Sequence, residues 1–144
     1  ISASNRIKGV VLHDILARIM RPDDLEDAVS GFLLKGEVTH PEAAQIRELL
    51  SARIGSAVSR GWFPDRADRI LNETAIIDSD GKIYRPDRVV VNDGNVIIID
   101  YKFGGHHPIY ERQLKRYADL WRRMGYDNVS AYLWYVHTDD VREV

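Results

Sequence analysis

Residues 83–102 have the sequence IYRPDRVVVNDGNVIIIDYK, in which two β-branched runs flank an Asp-Gly pair. An Asp-Gly pair between such runs is a strong signal for an antiparallel hairpin. In a hairpin that turns at Asp93-Gly94, Asp87 and Asp100 are equally far from the turn, so we expect them to be neighbours across the ladder. Asp100 and Lys102 are two residues apart on one strand and therefore point to the same face. The pattern predicts that two carboxylates and an ammonium group converge.

These three side chains suit metal-assisted hydrolysis of a phosphodiester. Mg²⁺ prefers oxygen ligands, usually one or two carboxylates completed by waters and phosphate oxygens, and it can acidify a water and polarise the phosphate. Lys102 would orient the attacking water and neutralise charge that develops on the phosphate oxygens. The alternative is a structural cross-strand ion pair, because Asp and Lys are common at hairpin ends. The second aspartate in register and the aliphatic run before Asp100 favour the metal site.

The first part of the chain, from about Arg6 to Trp62, has helical patterns. Apolar residues at helical spacing predict a first helix that is interrupted at Pro22. A second helix is predicted from Pro22 to Gly36. Thr39 is predicted as the N-cap of a third helix, with Glu42 as its capping-box partner. The predicted buried face of the third helix consists of Ile46, Leu49, Leu50, Ile54 and Val58.

The second part changes to strand patterns. Three strands, Leu71–Ile77, Ile83–Val91 and Val96–Tyr101, are predicted to form an antiparallel meander. An amphipathic helix over His107–Met124 and a strand over Val129–His137 are predicted to follow. The apolar stripe of that helix is predicted to contain Leu114, Tyr117, Trp121 and Met124. The order α-α-α-β-β-β-α-β indicates an α/β (α+β) fold, in which a mixed sheet is covered by helices.

Length and composition narrow the class of protein. The 144 residues fit one domain, which we divide into a helical part (1–62) and a sheet core (63–144). The absence of cysteine excludes disulfides, zinc–thiolate sites and cysteine-ligated iron–sulfur clusters, and it suits a reducing, cytoplasmic location. No apolar run approaches the roughly 18 residues that span a bilayer, so no membrane partner is expected. The start at Ile1 and the lack of a Walker A pattern suit a fragment whose motor domains lie elsewhere.

Pro86-Asp87 and Asp100-Tyr101-Lys102 resemble the two core motifs of the RecB-like nuclease domain in the PD-(D/E)xK superfamily. This domain is found at the C-terminal end of AddA-type and related UvrD-like helicase–nucleases. Three more segments resemble family motifs and occur in the same order: Gly9–Leu16, which contains His13; Asn72–Ile76, which contains Glu73; and Gln113–Tyr117. The resemblance spans Gly9 to Tyr117 and implies a restriction-endonuclease-like core.

The resemblance also implies a role for each matching residue. The metal, Mg²⁺ or in its place Mn²⁺, would be ligated by His13, Asp87, Asp100 and the backbone carbonyl of Tyr101. Lys102 would be the catalytic lysine, with Glu73 at the edge of the site holding a water or that lysine. Gln113 and Tyr117, one helical turn apart, would support the site or contact the DNA backbone. The relevant relatives are those without an iron–sulfur cluster, since four cysteines would be needed.

Simpler roles compete with some of these assignments. A lone helical histidine such as His13 is usually a core or surface residue, Glu73 also suits a solvated strand start, and Tyr117 also suits packing alone. The function that the resemblance implies is a Mg²⁺-dependent DNA exonuclease, attached to helicase motor domains and active in DNA repair and recombination. The alternatives are a catalytically inactive DNA-binding module of the same fold and a junction-resolvase or restriction-type endonuclease.

Overall fold

The computed structural model describes residues 7–144. The chain forms two compact units, one that ends at Asp65 and one that comprises Arg66–Val144. The first unit is helical and the second contains every strand found within residues 7–144. The predicted change from helical to strand patterns at residue 62 lies close to the boundary between the two units, which follows Asp65. The predicted helix start at Arg6 lies outside the described residues.

The described part of the first unit, residues 7–65, contains three α-helices: α1 (Gly9–Leu16), α2 (Leu25–Leu34) and α3 (His40–Ser59). A short 3₁₀ turn over Pro22–Asp24 precedes α2, and Asp24 Oδ2 accepts the backbone N–H groups of Met20 and Arg21 at 3.0 Å each. The first helix ends at Leu16, six residues before Pro22, so the prediction that it continues until the proline interrupts it was wrong. No helix among residues 7–144 is both long and apolar enough to cross a membrane.

The start of α3 is confirmed as a capping box. Glu42 N–H donates to Thr39 Oγ1 at 3.3 Å, and Thr39 N–H donates to Glu42 Oε1 at 2.8 Å. The backbone N–H of Thr39, which donates to the Glu42 carboxylate, and the side chain of Thr39 hold the pKa of the Glu42 carboxyl below its usual value. The prediction that Val58 is buried was wrong, because its side chain is 46% exposed and Ala57 is buried instead. At 3.6 residues per turn, a residue twelve positions after Ile46 has rotated by about 120° from it.

The second unit contains seven strands and one further helix, α4 (Pro108–Arg123). Five strands form one sheet in the order β1-β4-β5-β6-β7, and β2 and β3 form a separate hairpin. Their bounds are β1 Arg69–Asn72, β2 Ile76–Ile77, β3 Ile83–Tyr84, β4 Arg88–Asn92, β5 Asn95–Lys102, β6 Asn128–Tyr135 and β7 Asp140–Glu143. The pair β5 and β6 is parallel and all other neighbouring pairs are antiparallel. The predicted mixed sheet is confirmed.

The helix α4 connects the two parallel strands and packs its apolar side on the core of the sheet. Leu114, Tyr117 and Trp121 are buried there, as predicted. Met124 was wrongly placed in this stripe, because it follows the last helical residue and is 51% exposed. The helix ends with Gly125 at a φ of +102°, a conformation that favours glycine.

Two of the predicted meander strands are each divided in the structure. The strand predicted over Leu71–Ile77 separates into β1 and β2, because Glu73 turns the chain with a φ of +54°. The strand predicted over Ile83–Val91 separates into β3 and β4 on either side of Pro86, which has no N–H to donate to a ladder. Strand β7 was not predicted, since its sequence Asp-Val-Arg-Glu is short and mostly charged.

The hairpin of β4 and β5 turns at Asp93-Gly94, as predicted. Both residues have positive φ angles, +55° and +79°, as in the type I′ turn that matches the twist of the strands. Asn92 pairs with Asn95 at the turn, and Arg88 pairs with Ile99 at the far end of β4. One step beyond that pair, Asp87 lies opposite Asp100. The turn therefore fixes the register of the two aspartates.

Candidate metal centre

Asp87 and Asp100 are joined by reciprocal hydrogen bonds. The backbone N–H of Asp87 donates to Asp100 Oδ1 at 3.0 Å, and the backbone N–H of Tyr101 donates to Asp87 Oδ2 at 2.7 Å. Asp100 is 5% exposed and Asp87 is partly buried. Because each carboxylate accepts from the backbone beside the other, both are held in fixed orientations. The predicted approach of the two aspartates is confirmed.

Glu73 lies beside Asp87 at the same end of the sheet. Its backbone N–H donates to the carbonyl oxygen of Asp87 at 3.1 Å, one step beyond the pair of Asn72 with Arg88. One carboxylate oxygen of Glu73 and one of Asp87 lie within 4.8 Å of each other. The side chain of Glu73 is neither fully buried nor fully exposed. The left-handed backbone at Glu73 ends β1 at this point, so the residue is placed beside the aspartates and not farther along a continuous strand.

Lys102 is the last residue of β5, two positions after Asp100. Its ammonium nitrogen lies 4.2 Å from the centre of the Tyr110 ring, at the start of α4. An ammonium over an aromatic face is attracted by the ring quadrupole. The carbonyl oxygen of Lys102 also accepts the N–H of Val136 at 3.0 Å, which fixes the end of the strand. Tyr110 thus defines where the lysine side chain lies, a contact that the sequence analysis missed.

The pKa of the Tyr101 hydroxyl is affected by the charges of the acidic residues at the site. Burial raises the pKa of the Tyr101 hydroxyl well above its usual value, and the positive charge of Arg88 opposes this rise. Asp87, Asp100 and Glu73 each raise the pKa further. The backbone of Tyr101 is in contact with the site through its N–H, which is bonded to Asp87. The predicted role of its carbonyl oxygen as a ligand stays a prediction.

Arg88 is a buried cation beside this cluster that the sequence analysis did not single out. It has no measurable exposure, and one guanidinium nitrogen donates to Asn72 Oδ1 at 3.2 Å. An arginine is almost never fully buried unless it is paired. Its position next to Asp87 within a run of valines resembled an ordinary strand residue in the sequence. No local pattern distinguished it, because its burial depends on the neighbouring strands.

Gln113 and Tyr117 are connected to the site through the segment before Asp87. The Tyr117 hydroxyl is hydrogen-bonded to the backbone of Arg85 and to the side chain of Gln113. Burial raises the pKa of Tyr117 to about 12, and the charges of Asp100 and Asp87 raise it as well. Tyr117 is 5% exposed and therefore largely buried, and it holds the segment before Asp87, whereas Gln113 is exposed.

His13 belongs to the helical unit. It lies on α1 with a partly exposed side chain, and its Nδ1 is 3.2 Å from Asp14 Oδ1. The neighbouring Leu12 is completely buried. His13 is accordingly at the border of the helical core, and its role as a metal ligand stays a prediction.

Glu73 and Asp87 offer carboxylate oxygens of the kind that a divalent cation with a preference for oxygen binds, and Asp100 is hydrogen-bonded to the backbone of Asp87 beside them. Mg²⁺ binds oxygen at about 2.0–2.1 Å, so two ligands on opposite sides of the ion are about 4.2 Å apart. The Glu73 and Asp87 oxygens are at most 4.8 Å apart, a distance that is compatible with binding to the same ion. Three acidic side chains with Lys102 nearby and one buried arginine leave a local excess of negative charge, which a cation would neutralise.

No protein-family model matches the chain, and the comparison with curated proteins found no match.

Proposed function

We propose that this chain is a Mg²⁺- or Mn²⁺-dependent DNA nuclease of the RecB-like kind, and specifically an exonuclease that works with helicase motor domains. The observation that carries the proposal is the reciprocal pair of hydrogen bonds between the Asp87 and Asp100 segments, at the end of the hairpin where Lys102 follows. Structural ion pairs at hairpin ends join a carboxylate to a cation. Here two carboxylates are oriented next to each other, and a shared cation would offset their mutual repulsion.

Asp87, Asp100 and Glu73 would hold the ion, with His13 and the Tyr101 carbonyl as further ligands. The chemistry that such an ion supplies is the acidification of a water and the polarisation of a phosphate oxygen. Lys102 would donate a hydrogen bond to the attacking water and neutralise charge on the phosphate oxygens. The water oxygen forms a bond to phosphorus while the bond to the leaving sugar oxygen breaks. The proton lost by the water is balanced by the one that the leaving oxygen gains from solvent.

The resemblance of five segments to RecB-like domains supports DNA as the substrate and motor domains as partners. The net charge of −2 suits a protein that holds DNA partly through a bound metal and not through charge alone. Exposed arginines on α4 add a second means of contact with phosphates. These arginines are Arg112, Arg116, Arg122 and Arg123.

The test is the degradation of end-labelled linear DNA, single- and double-stranded, with Mg²⁺, with Mn²⁺ and with EDTA. The matched control is Asp100→Asn, which keeps the size of the side chain but removes its charge. Cutting that requires metal and disappears in the variant is the expected result. A folded chain that binds Mn²⁺ but cuts nothing would indicate that it needs its motor domains to deliver DNA. A chain that neither cuts nor binds metal would be the inactive DNA-binding module, and a symmetric dimer that cuts internally would indicate the resolvase or restriction type.

A further inference from the structure

A cleft of about 460 Å³ lies between the β2–β3 hairpin and the first half of α4. Its volume is within the roughly 300–1,000 Å³ of sites that hold small organic groups. Strand β3 forms one wall with Ile83 and Tyr84, and α4 forms the other from Ile109 to Tyr117. All lining residues belong to the second unit. The cleft is distinct from the acidic cluster but adjoins it.

The walls of the cleft are aromatic and apolar and partly open to water. Tyr84 packs edge-on against Tyr117, with ring centres 5.7 Å apart, so its ring is held in place. Ile83 is 64% exposed and Ile109 is 51% exposed, although both are large apolar side chains. A flat aromatic ligand would cover this surface. Nucleotide bases stack on such side chains irrespective of sequence.

The charge of the cleft is positive. Arg112 and Arg116 are both exposed and lie one helical turn apart on α4, so their guanidinium groups reach the same side. No carboxylate is among the residues that line the cleft. Two cations beside an aromatic surface match the two parts of a nucleotide, the phosphate and the base.

The cleft and the candidate metal centre share two side chains. Tyr110 lines the cleft and lies under the ammonium group of Lys102, 4.2 Å away. Tyr117 lines the cleft, while its hydroxyl is bonded to the backbone of Arg85 and experiences the charges of Asp87 and Asp100. If one nucleotide of a DNA strand occupied the cleft, the phosphate of the neighbouring nucleotide would therefore lie beside the candidate metal centre.

We propose that this cleft binds an unpaired nucleotide of the DNA strand next to the phosphate that is cut, with its base between the hairpin and α4 and its phosphate on Arg112 and Arg116. The proposal rests on the proposed nuclease function for its role, but its binding test does not. A base within a duplex is stacked on its neighbours and is not available to the cleft. The cleft thus selects single-stranded ends.

Binding is measured by the fluorescence anisotropy of a short labelled oligothymidylate, in EDTA so that nothing is cut. Arg112→Gln and Arg116→Gln should each weaken binding about tenfold and reduce the salt dependence by about 0.7 per lost phosphate contact. Lys115→Gln is the matched control, because it removes the same charge from the same helix outside the cleft. Equal losses in all three variants would overturn the proposal, since the helix would then act only as a general basic surface.

A second pair of variants tests the apolar walls. Ile109→Asp places a carboxylate at the cleft and should abolish binding, whereas Met124→Asp, at a side chain that is equally exposed, should not. An abasic strand of the same length should bind wild type at least about tenfold more weakly than oligothymidylate, since stacking is lost. Equal binding of both strands would overturn the assignment of a base to the cleft. Far-ultraviolet circular dichroism checks that each variant is folded.

The two proposals fail in different ways. If wild type cuts DNA and the cleft variants bind and cut single strands as wild type does, the cleft proposal is wrong and the nuclease function stands. If the cleft variants lose oligothymidylate while wild type neither binds Mn²⁺ nor cuts DNA with either metal, the cleft stands and the nuclease function is wrong for this chain.

Discussion

Asp87 and Asp100 each accept a hydrogen bond from the backbone beside the other, at 2.7 Å from Tyr101 N–H and at 3.0 Å from Asp87 N–H. The two carboxylates therefore take part in the hydrogen bonding of the hairpin. Each of them both stabilises the hairpin and is a candidate metal ligand. Substitutions at these positions therefore need to separate loss of charge from loss of a hydrogen-bond acceptor.

Asp100→Asn and Asp100→Ala make this separation. The asparagine keeps an oxygen for the N–H of Asp87, whereas alanine leaves that partly buried donor without this acceptor. The free energy of unfolding in EDTA, measured with urea, should be lower for alanine than for asparagine by about 1–3 kcal/mol. Both variants should bind Mn²⁺ much more weakly than wild type, because both lack the carboxylate. Equal stability of the two variants would show that the hydrogen bond is not important.

Lys102→Ala should abolish DNA cleavage but leave Mn²⁺ binding nearly unchanged. The ammonium lies over Tyr110 and is proposed to act on the water and phosphate, not on the ion. Loss of a donor that stabilises developing charge typically reduces the rate by about 10²–10³-fold. Single-turnover cleavage and Mn²⁺ titration measure the two effects, with Lys115→Ala as a control lysine. Cleavage by Lys102→Ala at the wild-type rate would refute the role of this lysine.

Tyr117→Phe should change both stability and its dependence on pH. At neutral pH the variant lacks the hydrogen bonds of the Tyr117 hydroxyl to Arg85 and Gln113. The loss of each bond should lower the free energy of unfolding by about 0.5–1.5 kcal/mol. The pKa of Tyr117 is about 12 in the folded protein, against about 10 for a tyrosine in the unfolded chain. Between pH 10 and pH 12, Tyr117 ionises in the unfolded chain but not in the folded protein. The contribution of its raised pKa to the free energy of unfolding is therefore complete below pH 10 and is lost as the pH rises towards 12.

The measurement for Tyr117 is the free energy of unfolding of both proteins from pH 8 to pH 12. The wild type should lose more stability than Tyr117→Phe across this range, so the two curves should converge at alkaline pH. Tyr101 contributes to the alkaline loss in both proteins, and it cancels in the difference. Parallel curves would contradict the raised pKa of Tyr117.

Glu73→Gly and Glu73→Ala distinguish the backbone from the side chain at this position. Both remove the carboxylate, so both should weaken Mn²⁺ binding to the same extent. The φ of +54° is unfavourable for alanine and easy for glycine, so Glu73→Gly should be more stable by about 1 kcal/mol. Thermal unfolding in EDTA gives the comparison. If alanine proved the more stable, the left-handed backbone would not be a source of strain.

The parts of the site that were predicted from sequence are those set by local geometry. The Asp93-Gly94 turn and the two-residue period of strands place Asp87 opposite Asp100, and the structure has this register. The capping box of Thr39 and Glu42 is equally local and was equally predictable. The interruptions at Glu73 and Pro86 were not predicted, because β-branched residues on both sides suggested continuous strands.

The hairpin, its register and therefore the approach of two carboxylates follow from local sequence, because a tight turn and a period of two need no distant partner. The burial of Arg88, the position of Tyr110 under Lys102 and the cleft between the β2–β3 hairpin and α4 depend on tertiary packing. The burial of Arg88 depends on the pairing of β1 with β4, which are not consecutive strands in the chain, and the other two features depend on where α4 lies against the sheet. Such contacts have no period in the sequence, and so no local pattern indicates them.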